Sequence, residues 1–419
     1  MKSISAVSVL AALSATLVAS GADGERGFKV NDRMTLRPYV SLSYTYDSNT
    51  DSGKHSKSSS SWVIDPGLDF DYKADNWSLN GAVFYQYHAY NRYGSELNSS
   101  SYGESLSFDW RDTAGDEPGW MISLTEKFQQ ISQDDDMSND NGRGIGRDRR
   151  QISFDGIVDR QVNGHLSVGV MGGYYLLDYD NDSNKYAPLY GWKRANLGGQ
   201  LGWALSQKLN FVLSGSYQWY WQDNDRDRMA GKHDVEPRGK SIGSRSGGYS
   251  VMGGLATRGP DKLNYRATVG WSRFEYGDGV ADRDSFVYHL SANWKLSNTL
   301  HLMALGSSYY QPSEREYGAA VKAYTMSVGL GKSFIRGKLT GTLDLSYRLE
   351  TSEYAEYDAD DYDEDIWTIR LGLTYRLGRY VDVYGRIEYQ DEETHGGSAR
   401  SHEYDYDRWR GTVGMRLTY

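Results

Sequence analysis

The residues best placed to act on a solute are arginines. Arg348, Arg370, Arg376, Arg386, Arg410 and Arg416 lie toward the C-terminus, each flanked by apolar residues or glycine. Asp344, Asp382 and Glu388 are interspersed with them, and Arg37, Asp65, Asp69 and Asp71 stand near the N-terminus. Guanidinium groups on one wall with carboxylates nearby make a transverse field, which orients and filters small polar solutes. The same residues can equally form ion-paired rows that brace a wide wall. Both readings stay open on the sequence.

Covalent chemistry finds no comparable support. A lipid hydrolase on a membrane barrel needs Ser and His, oriented by Asn or Asp, on the lipid-facing surface. His55, His233, His395 and His402 fall in loops, His165 at a turn, and His88, His289 and His301 on the inner parity. The chain has no zinc-type spacing and no phosphate loop, and its net charge of -10 does not suit nucleic acid. No enzyme, cofactor or resident metal is expected. The acidic stretches Asp134-Asp135-Asp136, Asp178 to Asp182 and Asp358 to Asp365 suit solvated loops, or loops bridged by divalent cations to lipopolysaccharide.

The arginines need elements that hold them on one face, and alternation supplies these. Trp367, Ile369, Leu371, Leu373 and Tyr375 alternate with Thr368, Arg370, Gly372, Thr374 and Arg376. Val381, Val383, Gly385, Ile387 and Tyr389 alternate with Asp382, Tyr384, Arg386, Glu388 and Gln390. Trp409 to Tyr419 repeats the pattern and ends on an aromatic residue. Period-2 amphipathicity of about ten residues per strand, with aromatic ends, is the signature of a transmembrane β-barrel.

The same cycle runs back to Met34: strand, short turn, strand, long polar loop. Gly and Asn recur in the short turns, where positive φ is needed. Eight short turns and nine long loops make an all-β, antiparallel up-and-down barrel of about 18 strands (16–18). Barrels of that size leave an aqueous channel. The bulk numbers agree, with mean hydropathy -0.68 and 35 Tyr, 12 Trp, 47 Gly and 7 Pro. Only alternate residues touch lipid, and aromatics populate the interfaces. The absence of cysteine fits an envelope protein without disulfides.

Residues 1–22 read as a secretory signal peptide, 23–33 as a short polar periplasmic segment and 34–419 as the barrel. Three residues break the outer apolar parity. Lys322 and Lys332 stand toward strand ends, where long side chains snorkel. Glu126 is expected to mark a register shift or bulge. The loop from Gln222 to Gly243 is the candidate constriction, and the basic stretches 143–150 and 226–245 suit anionic lipid or a narrowed pore.

Strand one ends Tyr44-Thr45-Tyr46-Asp47-Ser48-Asn49, and strand two carries Asp65-Pro66-Gly67-Leu68-Asp69-Phe70. These segments resemble the outer-membrane β-barrel porins associated with exopolysaccharide export. The resemblance implies a passive or export channel with polysaccharide as a cargo, and it carries over no site residues. The expectation is a porin-like channel for small polar solutes or a glycan in a Gram-negative outer membrane, with both termini periplasmic. Its expected partners are outer-membrane lipid, lipopolysaccharide and the barrel-assembly machinery, with monomer and homotrimer both open. A non-conducting barrel acting as an adhesin or structural protein through its loops is the alternative.

Overall fold

A computed structural model describes residues 26–50, 57–92, 98–112, 119–132, 148–179, 191–222, 246–257, 262–275, 282–312, 319–354, 362–396 and 405–419. The strands follow one another along the chain. The first ten are β1 (Phe28–Asn31), β2 (Met34–Asp47), β3 (Ser59–Lys73), β4 (Trp77–Tyr90), β5 (Ser99–Arg111), β6 (Trp120–Ser132), β7 (Arg149–Gln161), β8 (Leu166–Tyr179), β9 (Trp192–Ala204) and β10 (Leu209–Gln222). Then come β11 (Ser246–Thr257), β12 (Leu263–Glu275), β13 (Arg283–Lys295), β14 (Leu300–Pro312), β15 (Ala319–Phe334), β16 (Leu339–Tyr354), β17 (Tyr362–Arg376), β18 (Val381–Gly396) and β19 (Tyr406–Thr418). Each pairs antiparallel with its sequence neighbour, and β19 pairs with β2, so eighteen strands close into a barrel with no free edge.

The short strand β1 was not legible in the polar segment 23–33. It pairs with Thr35 and Leu36, on the part of β2 that extends beyond the last β19 pairing, Thr418 with Tyr39. It therefore continues the seam where β19 stops. The barrel strands run from 12 residues in β11 to 16 in β18, longer than the ten expected. The excess lies beyond the aromatic girdle at the end that carries the long loops.

Alternation places the apolar residues outside. Leu371, Leu373 and Val413 are 51%, 57% and 63% exposed. Aromatic pairs mark both rims of this band. Tyr44–Trp62, Tyr347–Trp367 and Tyr389–Trp409 meet at 5.1, 4.5 and 4.6 Å at the loop end. Tyr72–Trp77 and Tyr380–Tyr419 meet at 4.6 and 5.5 Å at the turn end. In the β15–β16 turn, Ile335 and Gly337 both have positive φ, 47° and 80°, within a single 3-10 turn.

Glu126 corrects an expectation. It sits in unbroken register, opposite Leu106 on β5 and Phe154 on β7. There is no bulge, so its side chain points outward. Lys332 lies 5.0 Å over the Phe334 ring at the turn end, as a snorkelling side chain would.

The wall bends sharply at β11–β12. A Cβ on Gly254 would come within 1.9 Å of the Ala267 carbonyl oxygen, and one on Gly270 within 1.9 Å of the Val251 oxygen. Both contacts are with backbone, so they cannot be relieved by rotating a side chain. Gly270→Ala is expected to cost about 1–3 kcal/mol, as overpacking does. The reading is a lower yield of protein whose gel mobility changes on boiling; unchanged yield and unfolding temperature would refute the tight corner.

Beyond this corner the sheet partly opens. β13 and β14 pair only from His289–Ser307 to Lys295–His301. Past that point the Tyr288 amide donates to Ser308 Oγ (3.0 Å). The loop-end half of the β14–β15 hairpin leans into the barrel.

Candidate functional site

The interior of β16–β19 and β2–β3 is where the predicted charges gather, and strand register decides which of them meet. Asp344 is opposite Arg370, Arg370 opposite Glu388, Glu388 opposite Arg410, and Arg410 opposite Asp47. One row of alternating sign thus crosses five strands. Arg370 Nε donates to Glu388. Arg410 Nη1 lies 3.8 Å from Glu388, and Arg410 Nε donates to Asp47 (3.2 Å).

Asp47 is the anchor of this row. Arg408 Nε lies 2.9 Å from both of its carboxylate oxygens, and the Asn49 amide donates to it (3.0 Å). The Asp47 and Arg408 side chains are only 4% and 1% exposed. Both stand on the inner parity of their strands, which is the signal in the sequence that points to them.

Toward the turn end a second set of pairs forms. Arg376 lies 3.6 Å from Asp382, and Arg37 pairs with Asp71. Arg416 lies 3.5 Å from Asp69 and stacks 3.8 Å over the Tyr39 ring. Asp65 stands opposite Ser41 on the same wall. Arg348 pairs with Glu350 nearer the loop end. Arg26, just before β1, also reaches inside: its guanidinium holds Asp382, with one hydrogen bond of 2.8 Å, and its carbonyl accepts from Arg37 Nε (3.3 Å).

Arg386 differs from the rest. Its own row reads Thr342, Gly372, Arg386, Thr412 and Thr45 across the same five strands, with no carboxylate. It is exposed, and among the described residues no hydrogen bond or ion pair holds its guanidinium. Ten of the predicted residues thus sit in a braced or neutral wall, while Arg386, one row from Asp344 and close enough to act on it electrostatically, presents a guanidinium that no hydrogen bond or ion pair holds among the described residues.

The inner face opposite carries an aromatic row. Tyr175–Trp192, Trp192–Tyr220, Tyr220–Phe274 and Phe274–Tyr310 follow at 4.7, 6.3, 5.5 and 5.6 Å. Tyr310 belongs to the leaning hairpin, four strands from β10, and its carbonyl accepts a 2.9 Å hydrogen bond from the buried Tyr220 hydroxyl. Phe274 and Tyr220 are 1% and 2% exposed. Tyr220 is therefore packed rather than wetted. Among the described residues it is this hairpin that enters the interior. Apart from Gln222 itself, the loop expected to do so, 222–243, lies outside the described residues, as do most of the acidic and basic loop stretches.

Burial follows the same polarity. Inward residues near the loop end are buried on many strands, among them Asp47, Ser61, Ser101, Trp192, Tyr220, Ser250 and Phe274. Inward residues toward the turn end, such as Arg37, Asp69, Asn210 and Arg376, stay partly open. Among the described residues the inward side chains are thus more buried at the loop end than at the turn end.

Comparison with known proteins places this geometry. Residues 33–419 match the family described as "Putative beta-barrel porin 2". No curated protein matches. Solved structures align at low identity and low TM-score. A mutant of the ferric enterobactin receptor PfeA of Pseudomonas aeruginosa aligns at TM-score 0.41 and 7% identity, over 92% of this chain and 80% of that one. The siderophore receptor PirA of the same organism aligns at 0.40 and 8%, over 94% and 81%. The FrpB iron transporter of Neisseria meningitidis aligns at 0.43 and 10%, over 94% and 67%.

Proposed function

The chain belongs to the Putative beta-barrel porin 2 family, and from that premise we propose that it is an outer-membrane channel for small polar solutes with a preference for anions. The observation that carries the reading is Arg386, an exposed cation that no hydrogen bond or ion pair holds among the described residues. In this reading the short turns and both termini face the periplasm, and the long loops face the cell exterior and lipopolysaccharide. Solutes pass the leaning β14–β15 hairpin at the loop end and then the charged row.

Small solutes are favoured over an extruded glycan. A sugar chain needs exposed aromatic faces to slide on, and the aromatic row from Trp192 to Tyr310 is consumed in packing. The buried loop end also keeps a second reading alive, a barrel that does not conduct and acts through its loops.

Single-channel recording in a planar bilayer under a salt gradient separates these. Steady steps with an anion-selective reversal potential are expected from the wild type. Arg386→Gln should bring the reversal potential toward zero while gel mobility and unfolding temperature stay unchanged. A unit charge about 8 Å away in water is worth about 0.5 kcal/mol, or about a twofold change in local anion concentration. Silence from protein that is folded by the boiling test would favour the non-conducting barrel. Conduction with unaltered selectivity in Arg386→Gln would remove Arg386 from the account.

A further inference from the structure

Among the described residues the outer wall between the aromatic girdles is mainly apolar, and apart from cations toward the strand ends such as Lys322 and Lys332 its charge is gathered in one place. Glu104 on β5 lies opposite Val83 and Phe128, and Glu126 on β6 lies opposite Leu106 and Phe154. Val83, Leu106 and Phe154 are all exposed on the outer face, 44%, 39% and 44%. Register therefore fixes both glutamates on that face. Cross-strand geometry makes them diagonal neighbours, about 7–8 Å apart at Cα. Among the described residues they are the only acidic side chains on the outer face between the girdles.

Among the described residues neither carboxylate has a cation or a hydrogen-bond donor. Tyr102, the polar group nearest on that face, donates to Gln130 instead (3.0 Å). Charged groups turned toward hydrocarbon are expensive and mark functional surfaces when they occur in a membrane wall. The acidic groups at the loop-end rim differ in kind, because they stand above the girdle and meet water and head groups.

We propose that the β4–β7 wall around Glu104 and Glu126 is the docking surface for a different membrane-inserted protein, one that presents a basic side chain at this depth. Charge complementarity selects that occupant. A second copy packed by two-fold symmetry would set the same two carboxylates against themselves. A second copy packed head to tail would bring outward cations such as Lys322 and Lys332, but these stand toward the strand ends and not at the depth of the two glutamates. Lipid tails supply nothing polar. A lysine or arginine on a neighbouring wall would pair with both glutamates and, with water excluded, would fix depth and rotation as well as affinity. The inference rests on the outer-membrane placement proposed above but not on conduction, so a silent channel would leave it untouched.

The test uses the hydrophobic carbodiimide dicyclohexylcarbodiimide, which activates carboxyl groups from within lipid, followed by mass spectrometry of the peptides carrying Glu104 and Glu126. Purified protein at high dilution in phospholipid vesicles should be modified at both residues. In native outer membranes modification should be lost, or diverted into an amide bond between one of these glutamates and a lysine of another polypeptide. Glu104→Gln with Glu126→Gln should weaken co-migration with that polypeptide on native gels, and Glu104→Lys with Glu126→Lys should abolish it. Unchanged gel mobility shift on boiling shows that the variants fold. Equal modification in vesicles and native membranes would overturn the proposal, since the wall would then face lipid. So would protection reproduced by crowded pure protein and relieved by added lipid, which would assign the face to a second copy.

Discussion

Asp47→Asn protein should lose its folded gel band at a much lower temperature than wild type. Asp47 sits at the closing seam, where the last strand, β19, meets β2. It accepts from Arg408 and Arg410 on β19 and from the Asn49 amide on its own side. The neutral amide removes the carboxylate that the buried Arg408 guanidinium faces. Breaking one partner of a buried pair costs about 3–5 kcal/mol, while removing both together costs far less. The Asp47→Asn, Arg408→Gln double variant should therefore recover much of the lost stability. The measurement is the temperature at which the compact band converts to the unfolded one. A single variant as stable as wild type would show that the seam is held by its backbone ladder alone.

Removing the ring of Phe274 should widen the channel without unfolding the barrel. Phe274 lies between Tyr220 on the fixed wall and Tyr310 on the leaning hairpin. Truncating a buried Phe to Ala costs about 3–5 kcal/mol, and here that loss falls on the contact between hairpin and wall. The hairpin itself remains, since β14 and β15 pair from Leu300–Lys332 to Pro312–Ala320. The hinge is available because β13 and β14 are already separated beyond Ser307. Phe274→Ala is expected to raise single-channel conductance and its noise, with the thermal transition little changed. Conductance equal to wild type would mean that the hairpin does not limit the pore.

The barrel could be read from the chain because its signal is local. Lipid and water impose a period of two, and each strand carries that period whatever its neighbours do. Trp367 to Arg376 and Val381 to Gln390 state it in ten residues each. The alternation of short and long connections then follows, and with it the strand number. What failed was also local in cause. β1 is four residues long, too short for a period to show. Arg26 lies in a polar stretch with no pattern. Glu126 was seen on the wrong parity, but a bulge and an outward carboxylate look alike in one strand. Only the paired partners Leu106 and Phe154 decide between them.

By itself the sequence determined the class of fold, the inner and outer face of each strand, the two girdles and the set of charges turned inward. Each of these depends on residues within one strand. The tertiary structure alone decided which charges compensate one another. Register across five strands puts Arg370 and Arg410 among carboxylates and leaves Arg386 between Gly372 and Thr412. It also decided that the β14–β15 hairpin enters the interior, because that depends on Tyr220 and Phe274 meeting Tyr310 from strands far apart in the chain. Parity is a property of neighbours along the chain, whereas compensation and constriction are properties of neighbours across the barrel.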